Sequence, residues 1–395
     1  MTIQIIITIC LLLLLAYLFD LSSQLTKIPS VILLLLLGWA AKQGADFFNV
    51  EVPVLNPLLP ALGTLGLILI VLDGALELEL NKSKIPLVVK SSLVAIVPML
   101  VFALVLTFAF HYFAKTSYKI ALINTIPFCV ISSAIAIPSV KNLSAINKEF
   151  IIYESSLSDI FGILFFNFIA LNTAINGDTF AHFGMELLVI ILISFVSVIG
   201  LSFLLSRITH HVTYTPIILL VILIYAVSKM FHLPGLIFIL VFGLFLGNLE
   251  ELKSFEWIEK FRPEKLEKEV IKFKEITIEA TFLVRALFFL LFGFLMEADE
   301  ILNAETAPWA LAIVLVILLI RWITLKISKL SVLPLLFVAP RGLITILLFL
   351  AITPEQTIPL VNKSLVIQVV VISVIFMMMG LMISPKHTET KLELN

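Results

Sequence analysis

Thirteen runs of predominantly apolar residues, each near the length that crosses a lipid bilayer, follow one another along this chain and leave it little choice of fold. A hydrocarbon core about 30 Å thick is crossed by about 20 residues of helix, and in lipid each backbone N–H and C=O must be satisfied within the protein. The runs lie near residues 2–20, 29–48, 56–76, 84–113, 117–140, 150–173, 182–206, 214–230, 234–249, 277–297, 306–326, 331–352 and 364–384. They predict an all-α polytopic membrane protein with about 13 transmembrane helices. Composition agrees, since 61% of the 395 residues are hydrophobic and 13% charged, against about 25% charged in soluble domains. Such a chain is not a soluble enzyme, a disordered protein or a secreted disulfide scaffold. A net charge of −1 offers no field to nucleic acid.

Cys10 and Cys129 lie inside apolar runs, without metal-ligand spacing, and read as small buried hydrophobes. The first run has no cationic leader and no small-residue cleavage site before Asp20, so it reads as a retained span. With the N-terminus outside, the inner loops collect Lys27, Lys82, Lys84, Lys141, Lys148, Arg207, the basic cluster from Lys253 to Lys274, Lys326, Lys329, Lys386 and Lys391. The outer loops hold only Lys42, Lys115, Lys119, Lys229 and Lys363. Positive residues favour the cytoplasmic side, which predicts N-out and C-in. The Ile, Lys, Asn and Phe bias points to a bacterial inner membrane. The polar stretch from Glu250 to Glu275 reads as a solvated cytoplasmic helix linking two bundles. His111, His182, His210, His211, His232 and His387 all fall at loops or span ends.

Charge at membrane depth is costly and marks a pathway, a relay or a pair. Asp73, Lys90, Glu279 and Arg285 lie near span ends, where a structural role suffices. The sixth span is different: YESSLSDIFGILFF carries Glu154 and Asp159 with Ser155 and Ser158 between them. Five residues apart on a helix, the two acids point about 140° from one another. They need not share one ion, and one can be held by a basic partner while the other stays free. Ser155 and Ser158 add oxygens suited to a hard monovalent cation beside Asp159.

Two spans in opposite halves of the chain are interrupted. IALINTIPFCVISSAIAIPSV contains Pro127, Ser132, Ser133 and Pro138; SVLPLLFVAPRGLITILLFLAI contains Pro334 and the Pro340–Arg341–Gly342 run. Proline removes a backbone donor and crowds the preceding turn, which predicts a break at these prolines. Matched broken helices are where transporters place their sites.

Taken together, these segments resemble the monovalent cation/proton antiporters of the Na⁺/H⁺ exchanger type. ESSLSD resembles that family's Glu-Ser-Leu-Leu-Asn-Asp signature, and VAPRGLITILLFLA its Gly-Leu-Arg-Gly-Ala segment. LLIRWITLKIS around Arg321 resembles its Arg-Pro-Leu-Ser-Val helix, ALFFLLFGFLM its Phe-Phe-rich tenth span, and LGLILIVLDGALELEL its third-span pattern. The matches run in order from about Pro29 to Pro385. By that resemblance Asp159 would bind cation and proton in turn, Glu154 would pair with Arg321, and Arg341 would sit at the crossing of the broken helices. Ser158 stands where the family has Asn, and the Ser132–Ser133–Ala134 region replaces its Thr-Asp-Pro, giving fewer carboxylates and more hydroxyls. With no second Asp beside Asp159, the resemblance implies one proton per cation.

The resemblance also implies an architecture of inverted repeats. Scaffold spans would occupy 1–80, and a first core repeat 84–175 (spans four to six). Further scaffold spans with the 250–275 helix would occupy 180–300, a second core repeat 305–385 (spans eleven to thirteen), and a cytoplasmic tail 386–395. A homodimer joined through the scaffold is implied as well. The expected activity is exchange of a monovalent cation, Na⁺ before K⁺ or Li⁺, for H⁺, with no cofactor and no enzymatic chemistry. An organic-anion symporter or channel on the same fold, or a non-transporting membrane sensor, stays open at this point.

Overall fold

The structure, a computed structural model, describes residues 2–26, 28–50, 55, 57–78, 84–140, 143–172, 177–207, 214–231, 233, 235–249 and 263–383. Lys27, Lys82, Lys141, His210, His211, His232, residues 250–262 of the expected linker and the 386–395 tail lie outside the described residues. Among the described residues all regular structure is helical. The helices are α1 (Thr2–Thr26), α2 (Ser30–Phe47), α3 (Leu58–Glu77), α4 (Ile85–Ala114), α5 (Tyr118–Cys129), α6 (Ser133–Ser139), α7 (Ala145–Leu171) and α8 (Gly177–Arg207). They continue as α9 (Tyr214–Met230), α10 (Leu236–Gly247), α11 (Pro263–Phe294), α12 (Ala298–Ile301), α13 (Ala307–Ile327), α14 (Leu343–Leu350) and α15 (Lys363–Ile383).

Nine segments among the described residues are long and apolar enough to cross a membrane, α5 and α6 counting together as one. The other expected spans correspond to α1, α9, α10 and the interrupted stretch that ends in α14. Large apolar side chains such as Leu188, Leu192, Phe195 and Val196 of α8 are exposed, as a helix bathed in lipid requires. Hydroxyls inside the spans are turned back on their own helix. Ser194 donates to the carbonyl of Ile190 at 2.6 Å and Thr277 to that of Phe273 at 2.8 Å, the i−4 pattern that hides a polar side chain from hydrocarbon.

One expectation needs correction. Pro127 and Pro138 do not break the fifth span: both lie inside helices, and the interruption is the extended Val130–Ser132 between them. The break falls where side chains from elsewhere take up the freed N–H groups, which a proline alone cannot arrange. The twelfth span is interrupted where its prolines predict, since residues 333–337 form turns, 338–342 have no regular secondary structure, and only α14 is helical. Finally, residues 263–275 of the expected linker run without interruption into the tenth span as α11. Their polar face and the apolar run that follows share one helical backbone.

The chain divides into two compact units. The first comprises residues 1–56, 90–159 and 289–395, the second residues 57–89 and 160–288. In the first, α1 packs on α2, α13 and α12 on α15, and α14 on α5. Gly38 of α2 and Gly293 near the end of α11 let two backbones meet. A Cβ on Gly38 would lie 2.1 Å from the carbonyl oxygen of Leu290, and one on Gly293 2.3 Å from that of Leu35. Small residues allow this approach between membrane helices. Gly293→Ala should therefore cost about 1–3 kcal/mol by overpacking, read as a lower melting temperature in detergent. Gly184→Ala, with open space around it, serves as the control. Equal melting temperatures for the two variants would dismiss the close approach.

In the second unit α10 packs against α3, α8 and α9. Gly243 and Gly247 admit the backbone of α3 at Leu72 and Leu76. The Asn248 amide caps this contact by donating to the Leu78 carbonyl at 2.8 Å, and Thr281 donates to that of Leu69 at 3.2 Å.

Candidate ion-binding site

The two interrupted segments meet where neither backbone is helical. The N–H of Ser132 donates to the carbonyl of Pro340 at 2.9 Å, joining one break to the other. Freed donors and acceptors at membrane depth need partners, and the surrounding residues supply them one by one. The N–H of Ile131 donates to Ser158 Oγ at 3.0 Å. The N–H and hydroxyl of Ser133, which opens α6, both donate to Asp159 Oδ2. Ser158 and Asp159 thus reach the break from α7, one serving its scaffold and the other presenting a carboxylate.

Asp159 is almost fully enclosed at 1% exposure. Among the described residues its second oxygen, Oδ1, has no hydrogen-bond partner, and neither has the hydroxyl of Ser132. Buried polar oxygens are nearly always partnered, so these two retain the capacity to accept a further partner.

The carbonyls at the end of α5 meet a cation. Arg341 donates from Nε to the carbonyl of Phe128 at 2.8 Å, from Nη2 to that of Cys129 at 3.4 Å, and from Nη1 to that of Ala339 at 2.7 Å. The C-terminus of a helix carries partial negative charge, which a guanidinium with forked donors complements. The N–H of Arg341 donates to Ser373 Oγ on α15 at 2.9 Å. Next to it Gly342 keeps the crossing tight, because a Cβ there would meet Ile135 at 2.4 Å and Ser132 Oγ at 2.9 Å.

Glu154 faces away from this crossing region, as the angular offset between the two acids requires. Arg321 of α13 grips it with two donors, Nη1 to Oε1 at 2.6 Å and Nη2 to Oε2 at 2.8 Å, while Nε donates to the carbonyl of Leu335 at 2.7 Å. Both side chains are buried. Both carboxylate oxygens are thereby engaged with the guanidinium, in the bidentate geometry that makes an ion pair strong.

Of the residues singled out in the sequence, Asp159, Ser158, Ser133, Ser132 and Arg341 come together at the breaks, and Glu154 lies with Arg321. Ser155 is turned elsewhere, its hydroxyl donating to the carbonyl of Ile151 at 2.7 Å. Residues not foreseen also hold the crossing and its surroundings. Ser373 anchors Arg341, the Asn124 amide donates to the carbonyl of Gln356 at 2.6 Å, and the Gln368 amide donates to those of Ile301 and Asn303 at 3.1 and 2.8 Å. The signal for them was available, since each is a polar residue inside an otherwise apolar run. Asp73, Lys90, Glu279 and Arg285 are each partly or fully exposed.

Among the described residues no group of three or more His, Cys, Asp or Glu is arranged to hold a metal ion. A single carboxylate with hydroxyl oxygens around it suits a weakly held cation of charge +1 better than a tightly bound divalent metal.

Comparison with known proteins agrees in fold and family. Residues 10–386 match the family described as "Sodium/hydrogen exchanger, transmembrane". Two solved structures of the sodium proton antiporter MjNhaP1 from Methanocaldococcus jannaschii share the fold. One, at pH 8, gives a TM-score of 0.70 at 19% identity and covers 96% of this chain and 99% of that one. The other, an electron-microscopy map, gives 0.69 at 18%, with 97% and 95% covered. No match is found among curated protein sequences.

Proposed function

Because the chain belongs to the sodium/hydrogen exchanger family, whose members are membrane transporters rather than enzymes, we propose that it exchanges Na⁺ for H⁺ by alternating access, one proton per cation. K⁺ and Li⁺ are the other cations to test. The observation that carries this reading is the unequal state of the two acids on α7. Glu154 is neutralised by Arg321, whereas Asp159 keeps an oxygen without a protein partner beside two serines.

The scheme is competition for one carboxylate. A cation or a proton can each neutralise Asp159, and both cannot do so at once in a confined site. Carrying the bare carboxylate through a low-dielectric layer is costly. The loaded forms therefore cross and the empty one does not, and exchange becomes obligatory without covalent chemistry or a resident cofactor. Ser133 holds the carboxylate at the crossing, Ser132 offers a second oxygen, and Ser158 keeps the break open by occupying the N–H of Ile131. Spans four to six and eleven to thirteen would form the moving core, and the remaining spans a scaffold that joins two copies. The protein would lie in a bacterial inner membrane with its N-terminus outside.

Reconstitution tests the reading. Proteoliposomes with an imposed pH gradient should lose that gradient on addition of Na⁺, and the rates with Na⁺, K⁺ and Li⁺ rank the cations. A one-for-one exchange should proceed at the same rate whether or not the membrane potential is clamped with valinomycin and K⁺. Proton movement that needs an organic anion, or that follows the potential without a cation, would replace antiport by symport or a channel.

A further inference from the structure

We propose that the second unit carries a lipid site: the cavity beside the Leu171 end of α7 and the Met230 end of α9 takes the phosphate group of an anionic lipid. This surface-open cavity is lined by Asn167, Tyr225 and Lys229 together with apolar residues that include Ile163 and Leu236. Among the described residues no carboxylate pairs with the ammonium of Lys229, and neither the hydroxyl of Tyr225 nor the amide of Asn167 has a hydrogen-bond partner.

A lone lysine near a span end commonly stretches toward water, and that alone would mean nothing. Here it lines the same cavity as a phenol and an amide. Tyr225 is itself buried, at 8% exposure, and its ring is held by the start of α10. A Cβ on Gly235 would come within 3.0 Å of Tyr225 Cδ2 and 3.2 Å of Ser228 Cβ, so the glycine lets the chain close over the ring. A fixed hydroxyl, an amide and a point positive charge form a donor set for an oxygen-rich anion.

The remaining lining argues for a lipid rather than a soluble ion. Ile160, Ile163 and Leu164 of α7 and Leu236 and Ile237 of α10 are apolar, and a free phosphate gains nothing from them. An acyl chain does, at about 0.8 kcal/mol per buried CH₂. The polar groups stand within about a turn of the ends of α7 and α9, the depth at which headgroups lie.

The test uses the purified full chain in detergent, with bound lipid measured by native mass spectrometry during titration. Phosphatidylglycerol should bind and phosphatidylcholine should not. Lys229→Gln should weaken phosphatidylglycerol binding about fivefold, the effect of one basic residue near an anionic headgroup, and Lys229→Arg should retain it. Tyr225→Phe should weaken it as well, with an unchanged melting temperature in the absence of lipid. Equal affinity in parent and Lys229→Gln would mean a lysine that simply reaches water, and would overturn the site. Competition by millimolar inorganic phosphate would overturn the lipid in favour of a soluble anion, and loss of binding in Lys229→Arg would overturn the role of charge.

Discussion

Asp159→Asn should abolish cation-dependent proton movement in everted vesicles while the protein still inserts and folds. Asparagine keeps the size of the side chain and can still accept hydrogen bonds from Ser133, so the crossing should hold together. What it loses is the ability to be charged when empty. A neutral amide neither titrates nor compensates a cation, so the bound and unbound states no longer differ in charge and nothing couples one ion to the other. The expected rate is that of empty vesicles, a loss far larger than any packing defect would bring. Insertion is checked by membrane content, and folding by a melting temperature close to that of the parent. Exchange at the parental rate in this variant would remove Asp159 from the proposed mechanism. The same outcome would leave the fold and the family untouched, since neither rests on that residue.

The second large effect is on stability. Removing one member of the pair between Glu154 and Arg321 strands the other as an uncompensated buried charge, a change that costs about 3–5 kcal/mol in comparable buried pairs. Glu154→Gln leaves the guanidinium with its bond to the Leu335 carbonyl but without a counter-charge. Arg321→Gln leaves a carboxylate enclosed at 1% exposure. Each single variant should melt well below the parent in detergent. Glu154→Gln combined with Arg321→Met should recover part of the loss, because two neutral groups of similar size leave no stranded charge. Single variants as stable as the parent would show that the pair is not what holds α7 to α13. Exchange should suffer in the single variants roughly in step with folded protein, whereas at Asp159 activity and stability should part company. That contrast separates the two acids experimentally.

Much of the site was legible in the chain because its signals are rare against an apolar background. Two carboxylates inside one span stand out, and their five-residue separation already places them on different faces of a helix. The assignment of Ser155 went astray for a local reason. A serine inside a helix can always satisfy itself on the carbonyl four residues back, as Ser155 does on Ile151, and spacing does not reveal when it will. Ser133 makes the direct contact instead, from a different span. The prolines misled in a similar way: Pro127 sits inside α5, and the chain opens only at Val130–Ser132. There, three N–H groups find acceptors on α7 and on the second broken segment.

By itself the sequence determined that the chain spans a membrane many times, roughly where each span lies, and which polar residues are out of place in one. Transfer of a segment into hydrocarbon depends on its own 20 or so residues, so that information is local and can be read in a window. Only the tertiary structure decided which acid is neutralised and which is left with an open oxygen. Arg321 lies 167 residues from Glu154, and Arg341 more than 200 from the carbonyls it caps. The sign and strength of such contacts depend on distances of a few ångströms that no local window contains. The division of labour between Glu154 and Asp159 is therefore a property of the folded bundle, set by which side chain the neighbouring helices bring within reach of a guanidinium.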